Sequence, residues 1–324
     1  MAANKTRGFQ RKAAVLAYIV ALGAAVPTHG QKNASATQSD DEIRLSIRAR
    51  PEGAFQPKLQ YQVTPNPRKP YVKQLFTPAG INVLRDAPVD HRHHHALMFA
   101  VAVDGVDCWA EWDDSGRQIS RRVEGPWVGS ADGSEAFGHF SQFLDWTHAD
   151  GRTPLLAEER NIWVHAPFDV PTTLVTWRCR LSPPEGKLSV TLSGSPYFGL
   201  GMRFLPSMDT GGEFSNADGR TGVEGTNAVR SRWCAYTASA DGNPVTIAVF
   251  DDKTNARHPA TWFTMENFAY ISATLGLDRQ PLKVEAAKPL ALRYGVAAWD
   301  GKVDKAQIEQ LYRRWLDLAA QEER

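Results

Sequence analysis

From Ile43 onward the chain alternates apolar and polar positions in short runs. "RLSIRAR" (Arg44–Arg50) changes character at every residue, which in a strand turns one face inward and the other to water. Similar runs follow at Tyr71–Phe76, Ala96–Val103, Phe140–Trp146, Arg160–Ala166, Thr173–Leu181, Leu188–Gly194, Val245–Asp251 and Pro289–Trp299. They are rich in β-branched and aromatic residues and are separated by Gly, Pro, Asn and Asp, the residues that make turns. One stretch has a helical period instead. Ile308, Leu311, Tyr312, Trp315, Leu316 and Ala319 form a single stripe, with Asp304 as N-cap and Gln307 as its capping-box partner. The pattern predicts a mainly β protein, a large β-sandwich over residues 43–324, closed by one C-terminal helix at 304–320. No repeat and no linker divides that span.

The first 42 residues have another character. Lys5, Arg7, Arg11 and Lys12 precede the apolar run Ala13–Val26, and Gly30 offers a small residue for cleavage. Residues 1–30 therefore read as a secretory signal peptide, and the run is shorter than the roughly 20 residues that span a bilayer. A secreted or periplasmic protein is expected, with no membrane insertion after cleavage. "KNASATQSDDE" (Lys32–Glu42) is small and polar, and residues 31–42 are expected to be a disordered lead-in.

Without the leader, 33 Lys and Arg face 36 Asp and Glu, with no basic stripe, so nucleic acid and anionic membranes are poor partners. Cys108, Cys179 and Cys234 are isolated, with no CxxC pair to suggest structural zinc. Export would permit one disulfide, but each cysteine sits beside Trp or within an apolar run, as buried thiols do.

Chemistry concentrates in four stretches. "DHRHHH" (Asp90–His95) puts four histidines into five positions. If extended, it turns His91, His93 and His95 one way and Arg92 and His94 the other. The cupin pattern of metal ligands fails, because Ala96–Phe99 follow where a carboxylate is needed. Imidazoles in a groove can act as acid, base or hydrogen-bond donor instead. In "LLAEERNIWVHA", Glu158 and Arg160 share a face with Ile162 and Val164, and an Arg beside a carboxylate suits a base or an anion clamp. "VFDDKTNARHPATWF" ends a strand at Asp251 and then delivers Asn255, Arg257, His258 and Trp262 from a loop, a common way to build a sugar site. "YFGLGMRF" carries Arg203 as its one charge, with glycines that suggest a bulge or a close backbone approach.

These stretches, in this order, resemble the PmoA-like domain family of secreted bacterial proteins. Asp90–Trp109 is similar to its pattern DHxHHRGLxFAxxxVNGxDFW, with His95 where an arginine is usual. Further likenesses lie at Glu158–Arg160, Tyr197–Arg203, Arg230–Tyr236 and Phe250–Phe263, while Met265–Gly276 and Trp299 depart from the pattern. The family name suggests a methane-oxidising copper subunit, but such subunits span membranes and no spanning run follows the leader. By fold analogy the strand pattern is similar to the galactose-mutarotase-like supersandwich, which implies His, Glu and Arg on a concave sheet that handles sugars.

The expectation is an exported carbohydrate-active protein that hydrolyses, eliminates or epimerises a sugar. His91, His93 or His94 would be the acid and Glu158 the base, while Asp90, Arg160, Arg203, Asp251, Asn255, Arg257, His258 and Trp262 bind substrate. The motifs call for no cofactor and no metal. Alternatives are a non-catalytic carbohydrate-binding module and a His-ligated copper or iron protein. The sugar reading requires the histidines and the Asn255–Trp262 loop to meet across one concave wall.

Overall fold

The computed structural model describes residues 33–48, 53–65, 67–131 and 135–322, which belong to one compact unit, Lys32–Arg324. The expected signal peptide at 1–30 lies outside the described residues.

The expected β-sandwich is present. One antiparallel sheet of eight strands runs in the order Ala34–Gln38, Glu42–Ile47, Gln56–Gln62, Tyr71–Leu75, Leu97–Ala100, Gly199–Arg203, Tyr270–Thr274, Thr261–Met265. A second runs Glu213–Asn216, Trp233–Ala240, Asn243–Asp251, Leu290–Asp300, Thr173–Ser182, Pro154–Pro167, Glu135–Thr147, Arg117–Ala131. Four short strands form a third sheet: Leu282–Glu285, Ser189–Ser193, Ala102–Val103 and Val106–Asp107. The two large sheets bury their facing sides in one core, where Leu45, Tyr61, Phe99, Phe140, Trp146, Ile162 and Trp177 meet. Burial along Glu135–Thr147 alternates almost residue by residue, as a strand with one covered face requires.

The predicted C-terminal helix is observed at Lys305–Asp317, followed by a short turn of helix at Ala319–Glu322. The Asp304 side chain accepts from the Gln307 backbone N–H at 2.8 Å, and the Gln307 side chain accepts from the Asp304 backbone N–H at 2.9 Å. Its stripe of Ile308, Leu311, Tyr312 and Trp315 packs on Trp233, Phe250 and Trp299, covering the outer face of the second sheet. Asp304→Ala should cost about 1 kcal/mol of stability, read as a lower urea midpoint.

Residues 31–42, expected as disordered, are corrected in part. Ala34–Gln38 is an edge strand paired antiparallel with Glu42–Ile47, from Ala34 opposite Ile47 to Gln38 opposite Ile43. Backbone pairing needs no large apolar side chain, and small Ala34 buries against the core. The glycines of Tyr197–Phe204 mark a close approach rather than a bulge. Gly199 has φ +148°, and a β-carbon there would lie 2.2 Å from the Ala273 carbonyl oxygen. Its pairing with the Tyr270–Thr274 strand runs without a register shift. Cys108, Cys179 and Cys234 are buried, unbridged thiols, and burial raises the pKa of each, that of Cys108 to about 12.

Candidate functional site

The histidine segment is not a strand. Two successive turns, closed by His91 N–H to Pro88 O and His94 N–H to His91 O at 2.9 Å each, fold residues 88–94 into a compact loop. A bridge between Asp86 and His95 ties its ends, and Ala87 and Ala96 beside that bridge take left-handed φ of +43° and +37°. Such conformations cost energy in a residue with a β-carbon and are held by their surroundings. The strand-parity expectation is therefore corrected. His91, His93 and His94 pack together, with ring centroids 4.7–6.0 Å apart, and His95 is separated from them.

Opposite this loop stands the segment that follows Val106–Asp107. Asp107 Oδ1 accepts from the backbone N–H groups of Trp109 and Ala110, and Ser115 Oγ accepts from that of Trp112. These short-range bonds fix Trp109 and Trp112 on a tight loop. Between the two loops and the outer face of the first sheet lie two cavities of about 410 Å³ each. The first is lined by His91, His93 and His94 together with Trp109, Tyr197, Phe263, Phe268 and Tyr270. The second is lined by Tyr71, Asp86, Arg92, His95 and Glu111. His93 and Trp112 line both, so the pair forms one groove. The Trp112 side of that shared wall stands in solvent, with 66% of the residue exposed.

The second cavity has a charged wall that sequence reasoning missed. His95 Nδ1 lies 2.8 Å from Asp86 Oδ1, and its Nε2 lies 3.0 Å from Glu111 Oε1. Lys69 Nζ donates to the same Glu111 oxygen at 2.8 Å. Tyr71 stacks on the His95 ring at 4.3 Å and donates its hydroxyl to Asp86 Oδ2. Burial alone would lower the His95 pKa, but the bonds to Asp86 and Glu111 outweigh it and raise it. Burial likewise opposes ionisation of Glu111, and the His95 bond and Lys69 charge reverse that, so its carboxyl is held down. For Lys69, burial prevails and its pKa falls despite Glu111. A cation between two carboxylates is the job an arginine would do, which accounts for His95 physically.

The first cavity is the opposite case. Burial lowers the His93 pKa, helped by the Lys69 charge. Burial, then the neighbouring His93 and His91, lower that of His94 to about 2. With its pKa lowered that far, His94 is neutral at physiological pH, which does not suit the acid role expected of it. Its Nδ1 is buried with no hydrogen-bond partner among the described residues. Because the unfolded imidazole protonates near 6.5 while the folded one stays neutral, His94 should make the protein lose stability as pH falls from 6.5. The slope contributed is up to about 1.4 kcal/mol per pH unit. Urea unfolding at pH 7 and pH 5 should show a smaller drop for His94→Gln than for the unaltered protein.

The remaining expected site residues do not line the groove. Glu158 and Arg160 lie in the core between the sheets, 2% and 0% exposed. Arg160 uses all five donors: Nε and Nη2 to Glu158, Nη1 to the Tyr61 hydroxyl and Pro70 O, and Nη2 again to Gln118. Trp146 Nε1 donates to the second Glu158 oxygen at 2.7 Å. The pair crosslinks the two sheets and meets no solvent, so Glu158 as base and Arg160 as substrate clamp are corrected. Asp251 is buried and accepts from Asn255, His258 Nδ1 and the Ala260 N–H, each at 2.7 Å. Burial raises its pKa against those bonds. Arg257 donates to the carbonyls of Leu275, Gly276, Gln280 and Pro281, and buried Trp262 donates to Ser231 O. This loop is a self-satisfied brace, and the meeting of the histidines with Asn255–Trp262 in one cavity does not occur.

Arg203 and Asp90 act one step away. Buried Arg203 pairs with Asp209 at 2.7 Å and places its guanidinium 3.7 Å from the centre of the Phe268 ring, backing one wall of the first cavity. Exposed Asp90 holds His91 Nδ1 at 3.0 Å. Among the described residues, no group of three or more His, Cys, Asp or Glu is placed to hold a metal ion. No helix among them is long and apolar enough to cross a membrane.

No curated protein gives a significant match to the chain. Among solved structures, an alpha-galactosidase from Lactobacillus brevis matches with a TM-score of 0.45 at 7% identity, over 89% of this chain and 42% of that one. A GH36 alpha-galactosidase from Geobacillus stearothermophilus, in complex with 1-deoxygalactonojirimycin, matches with a TM-score of 0.40 at 9% identity, over 86% of this chain and 43% of that one. The chain spans less than half the length of either, and at such scores the groove has to be read from its own side chains. A sequence profile does match, over residues 50–313. By that match the chain belongs to DUF6807, a family of unknown function.

Proposed function

We propose that the groove binds a carbohydrate and acts on it by proton abstraction. One observation carries this: the exposed Trp112 indole stands over two joined cavities, one of them walled by carboxylates and the other opening onto an uncharged imidazole, His93. Indoles stack on the C–H face of a sugar ring, and ionised carboxylates accept its hydroxyls.

The proton inventory selects among the three chemistries. Hydrolysis needs a group kept protonated to release the leaving oxygen. Two of the groups lining this groove are held toward their basic forms, Glu111 and His93, each with its pKa lowered. The imidazole whose pKa is raised, His95, is locked between two carboxylates. Elimination or epimerisation, each begun by a base taking a proton from a carbon acidified by an adjacent carboxylate and, in elimination, ended by the same imidazolium giving that proton to the leaving oxygen, therefore fits better than hydrolysis. His93 is the base in this proposal, and Glu111 orients the sugar.

A binding module is the second reading, favoured by the fact that both carboxylates of the second cavity are already tied to His95. Incubation with a panel of plant and algal glycans, followed by product analysis and calorimetry, separates the two. Unsaturated or epimerised product supports the enzyme, affinity without product supports the module, and neither rules out both. The motif likeness to the PmoA-like proteins, the galactose-mutarotase-like analogy and export all belong to the same proposal. N-terminal sequencing of protein recovered outside the cytoplasm checks export, and a start near residue 31 is expected.

A further inference from the structure

The two halves of the groove differ in chemistry, and that difference specifies a ligand. A pyranose has two apolar faces but a rim of hydroxyls, and each hydroxyl taken from water needs a partner. The first cavity surrounds its occupant with rings: Trp109, Trp112, Tyr197, Phe263, Phe268 and Tyr270. Some of its polar atoms are spent. Asp107 Oδ1 serves two backbone N–H groups, and His91 Nδ1 is held by Asp90. What remains on offer is His93, the other Asp107 oxygen and the Tyr197 hydroxyl. A sugar there would meet rings along much of its rim, whereas an aromatic ring can meet them edge to face and present one oxygen to the His93 imidazole. The second cavity reverses the balance, with Arg92 and the second oxygen of Glu111 able to serve a hydroxyl rim.

We infer that the groove takes an amphipathic glycoside, its sugar in the Asp86–Glu111 cavity and an aromatic aglycone among the rings of the other, with the glycosidic oxygen at the wall formed by His93 and Trp112. This rests on the carbohydrate reading above and narrows its substrate class. The aglycone cavity opens at Met265, 45% exposed on the rim, so the aromatic group can extend outward beyond one ring.

The test is calorimetry of the full chain with matched phenyl and methyl glycopyranosides of glucose, galactose, mannose and xylose in both anomers, together with phenol and the corresponding disaccharides. In at least one pair the phenyl glycoside should bind about tenfold or more tightly than its methyl counterpart, the size of effect a well-filled apolar pocket gives. Met265→Glu, a change at an exposed strand end that the fold tolerates, should close that gap. Equal affinity within every pair, or a disaccharide that outbinds the phenyl glycoside of the same sugar, overturns the aglycone assignment and leaves the carbohydrate reading standing. Phenol binding as tightly as its glycosides, or no binding by any of these compounds, overturns both.

Discussion

Arg160→Met should lower the stability of the protein by about 3–5 kcal/mol, the usual result of removing one partner from a buried ion pair. The cause lies in what is left behind. Glu158 loses two charge-assisted bonds while enclosed, and the Tyr61 hydroxyl, Pro70 O and Gln118 lose their donor in a space closed to water. Trp177, over which the guanidinium lies at 4.5 Å, loses a packing partner as well. Methionine recovers part of the volume and none of the bonds. Chemical denaturation should therefore show a much lower midpoint for Arg160→Met, and any glycan affinity should survive in the folded fraction. An unchanged midpoint together with lost affinity would return Glu158 and Arg160 to the ligand site.

His93→Ala should do the reverse. His93 makes no hydrogen bond among the described residues and lines both cavities, so its removal costs the fold little. If it is the base, turnover of a productive glycan should fall by about 10²–10⁴-fold. The pH profile carries the same signature. His93 works only when neutral and its pKa is lowered by burial, so kcat/KM should rise with pH through one ionisation below 6.5. A limb above that value, or a rate untouched in His93→Ala, would assign the proton transfer elsewhere.

These two residues also mark what the sequence could and could not disclose. Alternation set Glu158 and Arg160 on one face with Ile162 and Val164, and that face is the core. The signal was present, and the apolar company of the pair weighed less than the appeal of a carboxylate beside an arginine. Strand alternation failed at Asp90–His95 because the segment is bent by two turns, and no local pattern distinguishes a His-rich turn from a His-rich strand. The helix and its cap were legible because both are local: a 3.6-residue stripe and two residues three positions apart.

The charged wall was not legible. Lys69, Asp86, His95 and Glu111 come from four separate places in the chain and acquire their roles only when sheet pairing brings the Tyr71–Leu75 and Leu97–Ala100 strands together. One clue was available in "DCWAEWDDSG", where an Asp two residues before a Trp, and a Ser–Gly at the end, mark a tight loop with two indoles on it. The Asn255–Trp262 loop misled for the opposite reason. Its polar residues are many, and they satisfy one another.

The claim on which the rest depends is that ligand recognition occurs at the wall shared by the two outer-face cavities. Side-by-side calorimetric titration of the unaltered protein and Trp112→Ala with the same glycan tests it most directly, because Trp112 is exposed and its loss leaves the core intact. An affinity loss of about tenfold or more with an unchanged melting temperature is expected, as for removal of a stacking ring. A glycan bound equally well by both proteins would contradict it.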